Sequence, residues 1–113
     1  MSEVIATKVY DLECPVCDTM SRFDSSVFEG FPEVSYQAIT FDTLRDKIET
    51  NKTSQRIYQL LERYAVSPSY EIDFPTYVFM SKTGKYIGHL QGALDLREFR
   101  EGVKSILDQK HSE

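Results

Sequence analysis

Glu13-Cys14-Pro15-Val16-Cys17-Asp18 holds both cysteines of the chain, three positions apart with a proline between them. A run rich in β-branched and aromatic residues, Val4 to Tyr10, precedes it and reads as a strand. Met20, Phe23, Val27 and Phe28 follow at helical spacing, and Gly30 and Pro32 end that pattern. The motif therefore stands at a strand-to-helix junction, with a helix over 15–29. With Cys14 capping the helix and Pro15 in its first turn, where the missing N–H costs nothing, Cys14 faces unpaired N–H groups and the positive end of the helix dipole. Both favour the thiolate, the nucleophilic form of cysteine. Cys17 lies one turn further in. An i, i+3 pair on a helix has Cα atoms roughly 5 Å apart, inside the range of about 4.4–6.8 Å that a disulfide needs. The pair reads as a reversible dithiol/disulfide centre.

Outward from the motif, Val34 to Phe41 reads as a second strand. A strand–helix–strand order implies a parallel pair. Residues 42–52 are polar except for Leu44 and Ile48 and read as a short helix or a solvated connection. Thr53 or Ser54 caps a helix over 54–65, where Ile57, Leu60, Leu61, Tyr64 and Ala65 form one apolar stripe. Residues 66–73 read as a loop containing Pro68. Phe74-Pro75 leads into a strand over Thr76 to Ser81, Lys82-Thr83-Gly84-Lys85 is a hairpin turn, and Tyr86 to Leu90 returns antiparallel until Gly92. Asp95 caps a last helix over 95–108 with Leu96, Phe99, Val103, Ile106 and Leu107 inward, and the tail from Gln109 frays. The order is β-α-β-α-β-β-α: an α/β domain with a mixed four-stranded sheet and helices on both faces.

The 113 residues fit one domain, 1–113, with 41% hydrophobic and 27% charged residues, as expected of a globular protein. Thirteen basic against eighteen acidic residues give a net charge of −5, with no basic cluster for nucleic acid. No apolar run approaches the roughly 18–20 residues of a membrane span. The N-terminus has neither a basic region nor an apolar signal core, so the expected location is the cytoplasm. There a close cysteine pair is catalytic or metal-binding rather than a structural staple. Half of a zinc site is the metal alternative, but His89 and His111 are at the wrong spacing to complete it locally.

Three features together resemble the thioredoxin/glutaredoxin superfamily: the Cys-x-x-Cys between first strand and first helix, Phe74-Pro75-Thr76 before the third strand, and Gly84 through Leu94, a hairpin ending in Gly-Ala-Leu before the last helix. Cys-Pro-Val-Cys is closer to the glutaredoxin motif, and the C-terminal third closer to thioredoxin. The resemblance implies a thioredoxin-like fold and a protein disulfide reductase. Cys14 is its attacking thiolate and Cys17 its resolving thiol. Pro15, Val16, Phe74, Pro75 (the position of the family's cis-proline) and Gly92 line the substrate groove. It implies a monomer with no bound cofactor, disulfide-containing proteins as substrates, and a reductase or glutathione as electron donor. Phe74 is bulkier than the family's usual residue there and narrows substrate choice. Two departures stand out. Glu13 replaces the usual tryptophan, and Lys8 stands where the family's buried general-base aspartate falls, so that aspartate does not deprotonate Cys17.

Asp11, Glu13 and Asp18 oppose thiolate formation at Cys14, which places its pKa below that of a free thiol but not extremely low. The alternatives to a thioredoxin-like reductase are a glutaredoxin-like, glutathione-dependent oxidoreductase and a redox-inactive binding module that uses the groove near Pro75.

Overall fold

Successive residues of a strand point to opposite faces of its sheet, and in the first strand both faces are apolar. Val4 and Ala6 are fully buried on one side and Val9 on the other, so this strand has to lie at the centre of a sheet with a layer on each face. The computed structural model describes residues 4–65 and 74–111, and it has that architecture. The expected loop of 66–73 lies outside the described residues.

Strand β1 (Val4–Tyr10) is followed by helix α1 (Pro15–Glu29), strand β2 (Val34–Thr40), helices α2 (Phe41–Asp46) and α3 (Lys52–Leu60), strands β3 (Thr76–Ser81) and β4 (Tyr86–Gln91), and helix α4 (Leu96–His111). The sheet order is β2-β1-β3-β4. β1 and β2 run parallel with Val4 opposite Val34, and β3 is antiparallel to both β1 and β4. The expected mixed four-stranded sheet is present. Gly84 turns the hairpin at φ 88° and Gly92 leaves β4 at φ 77°, conformations open to glycine at little steric cost.

Two cores result, one on each face. Met20, Val27 and Phe28 of α1 meet Phe99, Val103, Ile106 and Leu107 of α4 over Val4, Ala6, Tyr77 and Phe79. On the other face Leu44, Ile57, Leu60 and Leu61 cover Val9, Val78 and Met80.

Four local expectations need correction. Phe41 opens α2 rather than closing β2, because the Thr40 hydroxyl accepts the Thr43 N–H and starts a helix. The cap of α3 is Asn51, whose Oδ1 accepts the Ser54 N–H at 2.9 Å, so the helix starts at Lys52 and not after Thr53 or Ser54. Leu61–Ala65 forms a π-helical turn, and Tyr64 is 40% exposed, its ring stacked on Tyr86 instead of sitting in the stripe. Finally, α4 runs on through His111 where fraying from Gln109 was expected. Its start is as expected: Asp95 accepts the Glu98 N–H and Glu98 reaches back to the Asp95 N–H, a reciprocal cap.

The charged segment after β2 is pinned at one point, Leu44, which has no exposed surface, while the Asp42–Arg45 ion pair on the same helix is open to solvent. Leu44→Ala is expected to lower the unfolding free energy by about 2–5 kcal/mol. Asp42→Ala should change it by less than about 1 kcal/mol, the usual limit for an exposed pair. Urea denaturation of the two variants checks this.

Candidate active site

Cys14 has the extended backbone of a cap (φ −129°, ψ 100°), and Pro15 is the first residue of α1. Its sulfur accepts the Cys17 N–H at 3.1 Å, so a helix N–H that would otherwise lack a partner points at it. Cys14 and Cys17 form a disulfide with Cα atoms 5.2 Å apart. The two sulfurs are not equivalent. Cys14 is half-buried, whereas Cys17 is only 2% exposed.

A second element meets Cys14 from across the sheet. The Phe74 carbonyl oxygen lies 3.7 Å from its sulfur. The Phe74–Pro75 peptide is cis, Pro75 is buried, and the Pro75 carbonyl accepts the Gly92 N–H at 3.0 Å. Phe74, Pro75 and Gly92 thus stand together at the cysteine end of the sheet. The Phe74 ring turns away and packs on Phe41 at 5.6 Å, so its backbone, not its bulk, faces the sulfur. Pro15 is exposed and Val16 half-buried against the α1–α4 core. Around them Asp11, Glu13 and Asp18 are exposed, and so is Leu12, at 78%, an apolar residue at the rim that the sequence reading passed over.

Beneath Cys17 lies a polar network. Lys8, on the inward face of β1 and 2% exposed, donates to the Cys17 carbonyl at 3.2 Å, to Ser21 Oγ at 2.9 Å and to Asp24 Oδ2 at 2.8 Å. Asp24, 5% exposed, also accepts the Tyr36 hydroxyl at 2.8 Å and the Tyr77 hydroxyl at 2.6 Å. Burial, and then the bond to Asp24, pushes the pKa of both tyrosines well above that of a free phenol, so each remains a donor. A cleft of about 290 Å³ bordered by Tyr10, Ser25 and Ala38 reaches Lys8 and Asp24. A larger cleft, about 590 Å³ between β2, α2 and α3, contains neither cysteine.

The sequence reading marked Lys8 as a departure but missed its partners. The signal was present. Asp24 falls in the apolar stripe Met20, Val27, Phe28 of α1, and a buried charge needs a partner of opposite sign. His89, on β4, shares a 2.6 Å hydrogen bond with the Tyr86 hydroxyl through Nδ1, and burial lowers its pKa. Among the described residues no three His, Cys, Asp or Glu side chains are grouped to hold a metal ion. No described helix is long and apolar enough to cross a membrane.

No protein-family model and no curated protein matches this sequence. Solved structures do. A poplar thioredoxin h superposes with a TM-score of 0.65 at 18% identity, over 95% of this chain and 78% of that one. Thioredoxin NaTrxh from Nicotiana alata gives 0.62 at 18%, over 96% and 75%. Oxidised mitochondrial thioredoxin 3 from Saccharomyces cerevisiae gives 0.62 at 19%, over 93% and 80%. The fold is thioredoxin-like.

Tyr77→Phe removes one buried bond to a carboxylate and nothing else. It is expected to cost about 1.5–3 kcal/mol of stability, as for other hydrogen bonds to charged groups. A loss under about 0.5 kcal/mol in urea denaturation would show that Asp24 does not depend on it.

Proposed function

We propose that the protein is a thiol–disulfide oxidoreductase that reduces disulfides in protein substrates through the Cys14–Cys17 pair. The observation that carries this reading is the unequal exposure of two bonded cysteines at a helix N-terminus. The outer sulfur is open to a partner and held by an N–H, and the inner one is sheltered within bonding reach of it.

In the reduced protein the Cys14 thiolate attacks one sulfur of the substrate disulfide. A Cys14–substrate bond forms, and the other substrate sulfur leaves with the electron pair. The Cys17 thiolate then attacks Cys14 Sγ. The intramolecular disulfide forms and the second substrate sulfur departs and is protonated. The substrate gains two electrons and the cysteine pair loses two. The Cys17 N–H and the helix end favour the Cys14 thiolate, while Asp11, Glu13 and Asp18 oppose it.

On this reading Pro15, Val16, Phe74, Pro75 and Gly92 line the groove for an extended substrate segment, with Leu12 at its apolar rim. No bound cofactor is required, because the disulfide is itself the redox group. The electrons come from a flavoprotein reductase or from glutathione, and the protein works as a monomer in a reducing compartment such as the cytoplasm.

The reduced protein is expected to reduce insulin disulfides. Cys14→Ser abolishes this, and Cys17→Ser arrests it as a covalent protein–substrate disulfide visible by mass under non-reducing conditions. In a pH series of alkylation rates, Cys14 titrates below the 8.5 or so of a free thiol. A Cys14→Ser protein as active as wild type, or a Cys17→Ser protein that traps nothing, would remove the proposal.

A further inference from the structure

Lys8 makes three hydrogen bonds, and the direction of each is fixed. The Cys17 carbonyl and the Asp24 carboxylate can only accept. Ser21 spends its single proton on the Cys17 carbonyl, 2.9 Å away, so towards Lys8 it too accepts. Lys8 therefore donates three times and carries all three protons. With no lone pair free it cannot take a proton from Cys17. What it brings instead is a full positive charge, buried, 3.2 Å from the Cys17 carbonyl and locked in place by Asp24 and Ser21.

We propose that Lys8 is a positioning residue for the resolving step, one whose fixed ammonium stabilises the Cys17 thiolate through its field. The proposal rests on the oxidoreductase reading above and adds to it how the second sulfur is activated. In the step served, the bond between Cys14 and the substrate sulfur breaks and the Cys14–Cys17 bond forms. The electron pair leaves on the substrate thiolate. That thiolate ends with the proton Cys17 gave up, carried through water and not through Lys8. The bond to the Cys17 carbonyl puts the ammonium beside this residue; a charge in a site of low dielectric acts more strongly than one in water, and a nearby opposite charge favours the ionised form of an acidic group.

The other charged or titratable groups around this position are Tyr10 on β1, Asp18 and Asp24 on α1, Tyr36 on β2 and Tyr77 on β3, with Asp11 and Glu13 on the turn before α1. Asp24, 2.8 Å from Lys8, carries the opposite charge and works against the Lys8 field at Cys17; the two tyrosines donate to Asp24, and Asp11, Glu13 and Asp18 are exposed. Lys8 is the one cation in this set.

The test is an NMR titration of Cys17 in the reduced protein with ¹³Cβ-labelled cysteine, paired with the rate of substrate release from a preformed Cys14 mixed disulfide. Lys8→Met is expected to raise the Cys17 midpoint by about 1–3 units and to slow release about three- to fourfold per unit at neutral pH, since only the thiolate attacks and a more basic thiolate partly offsets its lower population. Lys8→Arg keeps the charge and restores both. Ser21→Ala removes a tether but no charge and leaves the midpoint at its wild-type value. Lys8→Met alone also leaves Asp24 uncompensated, so Lys8→Met/Asp24→Asn, which removes both charges, is measured beside it and is expected to keep a smaller rise. A Cys17 midpoint unmoved by loss of the charge, or moved equally by Ser21→Ala, overturns the proposal. The titration needs no substrate, so a Lys8 effect in a protein that does not reduce insulin would retire the oxidoreductase reading alone.

Discussion

One carboxylate, Asp24, ties the cysteine-bearing helix α1 to three of the four strands. It accepts from Lys8 on β1, Tyr36 on β2 and Tyr77 on β3. Among the described residues no buried side-chain polar atom lacks a partner. Burying such a charge is costly, and an ion pair of this kind often adds little net stability over an apolar core of the same shape. Removing one partner is another matter, because it strands the rest. The network therefore acts mainly as a constraint: α1 has one seat on the sheet in which every donor finds its acceptor.

The position of the cysteines follows from that seat. With α1 held by Asp24 in its middle, its first turn projects at the end of β1, so that Cys14 is half-exposed and Cys17 is buried with its carbonyl bonded to Lys8. The apolar contacts of Met20, Val27 and Phe28 supply adhesion on the same face, but they would tolerate small slides of the helix that the hydrogen bonds do not. On the opposite face the α2–α3 core takes up the Phe74 ring, which leaves the Phe74 carbonyl against Cys14. Each core thus fixes one side of the site, and the two sides meet at a single sulfur.

Much of this was legible in the sequence because it depends on local signals. The strand–Cys-x-x-Cys–helix junction, the Gly84 hairpin and the Asp95 cap each rest on a few adjacent residues, and each occurs where those residues point. The errors came where a local signal had a competitor. Thr53 and Ser54 are good caps, but Asn51 stands earlier in the chain and accepts the Ser54 N–H first. Tyr64 fits a helical stripe only while the turn stays α-helical, and the π-turn at 61–65 rotates it out to Tyr86. The polar network was only partly legible, for a different reason. Its members come from four elements, and only strand order and register bring residues 8, 24, 36 and 77 together. What the sequence did mark was one member of it, Lys8, at the position where the resemblance puts a buried aspartate.

Everything proposed for the site requires Cys14 and Cys17 to be a working redox couple, and the most direct measurement is a redox titration of that pair in glutathione buffers, read by thiol alkylation and mass. The expected result is a single two-electron transition between about −270 and −200 mV, the span from thioredoxins to glutaredoxins. A midpoint at the lower end points to a flavoprotein reductase as donor, and one at the upper end to glutathione. If no intramolecular disulfide forms at any poise, the oxidoreductase account is contradicted, and what is left is a thioredoxin-like fold whose cysteines serve some other purpose.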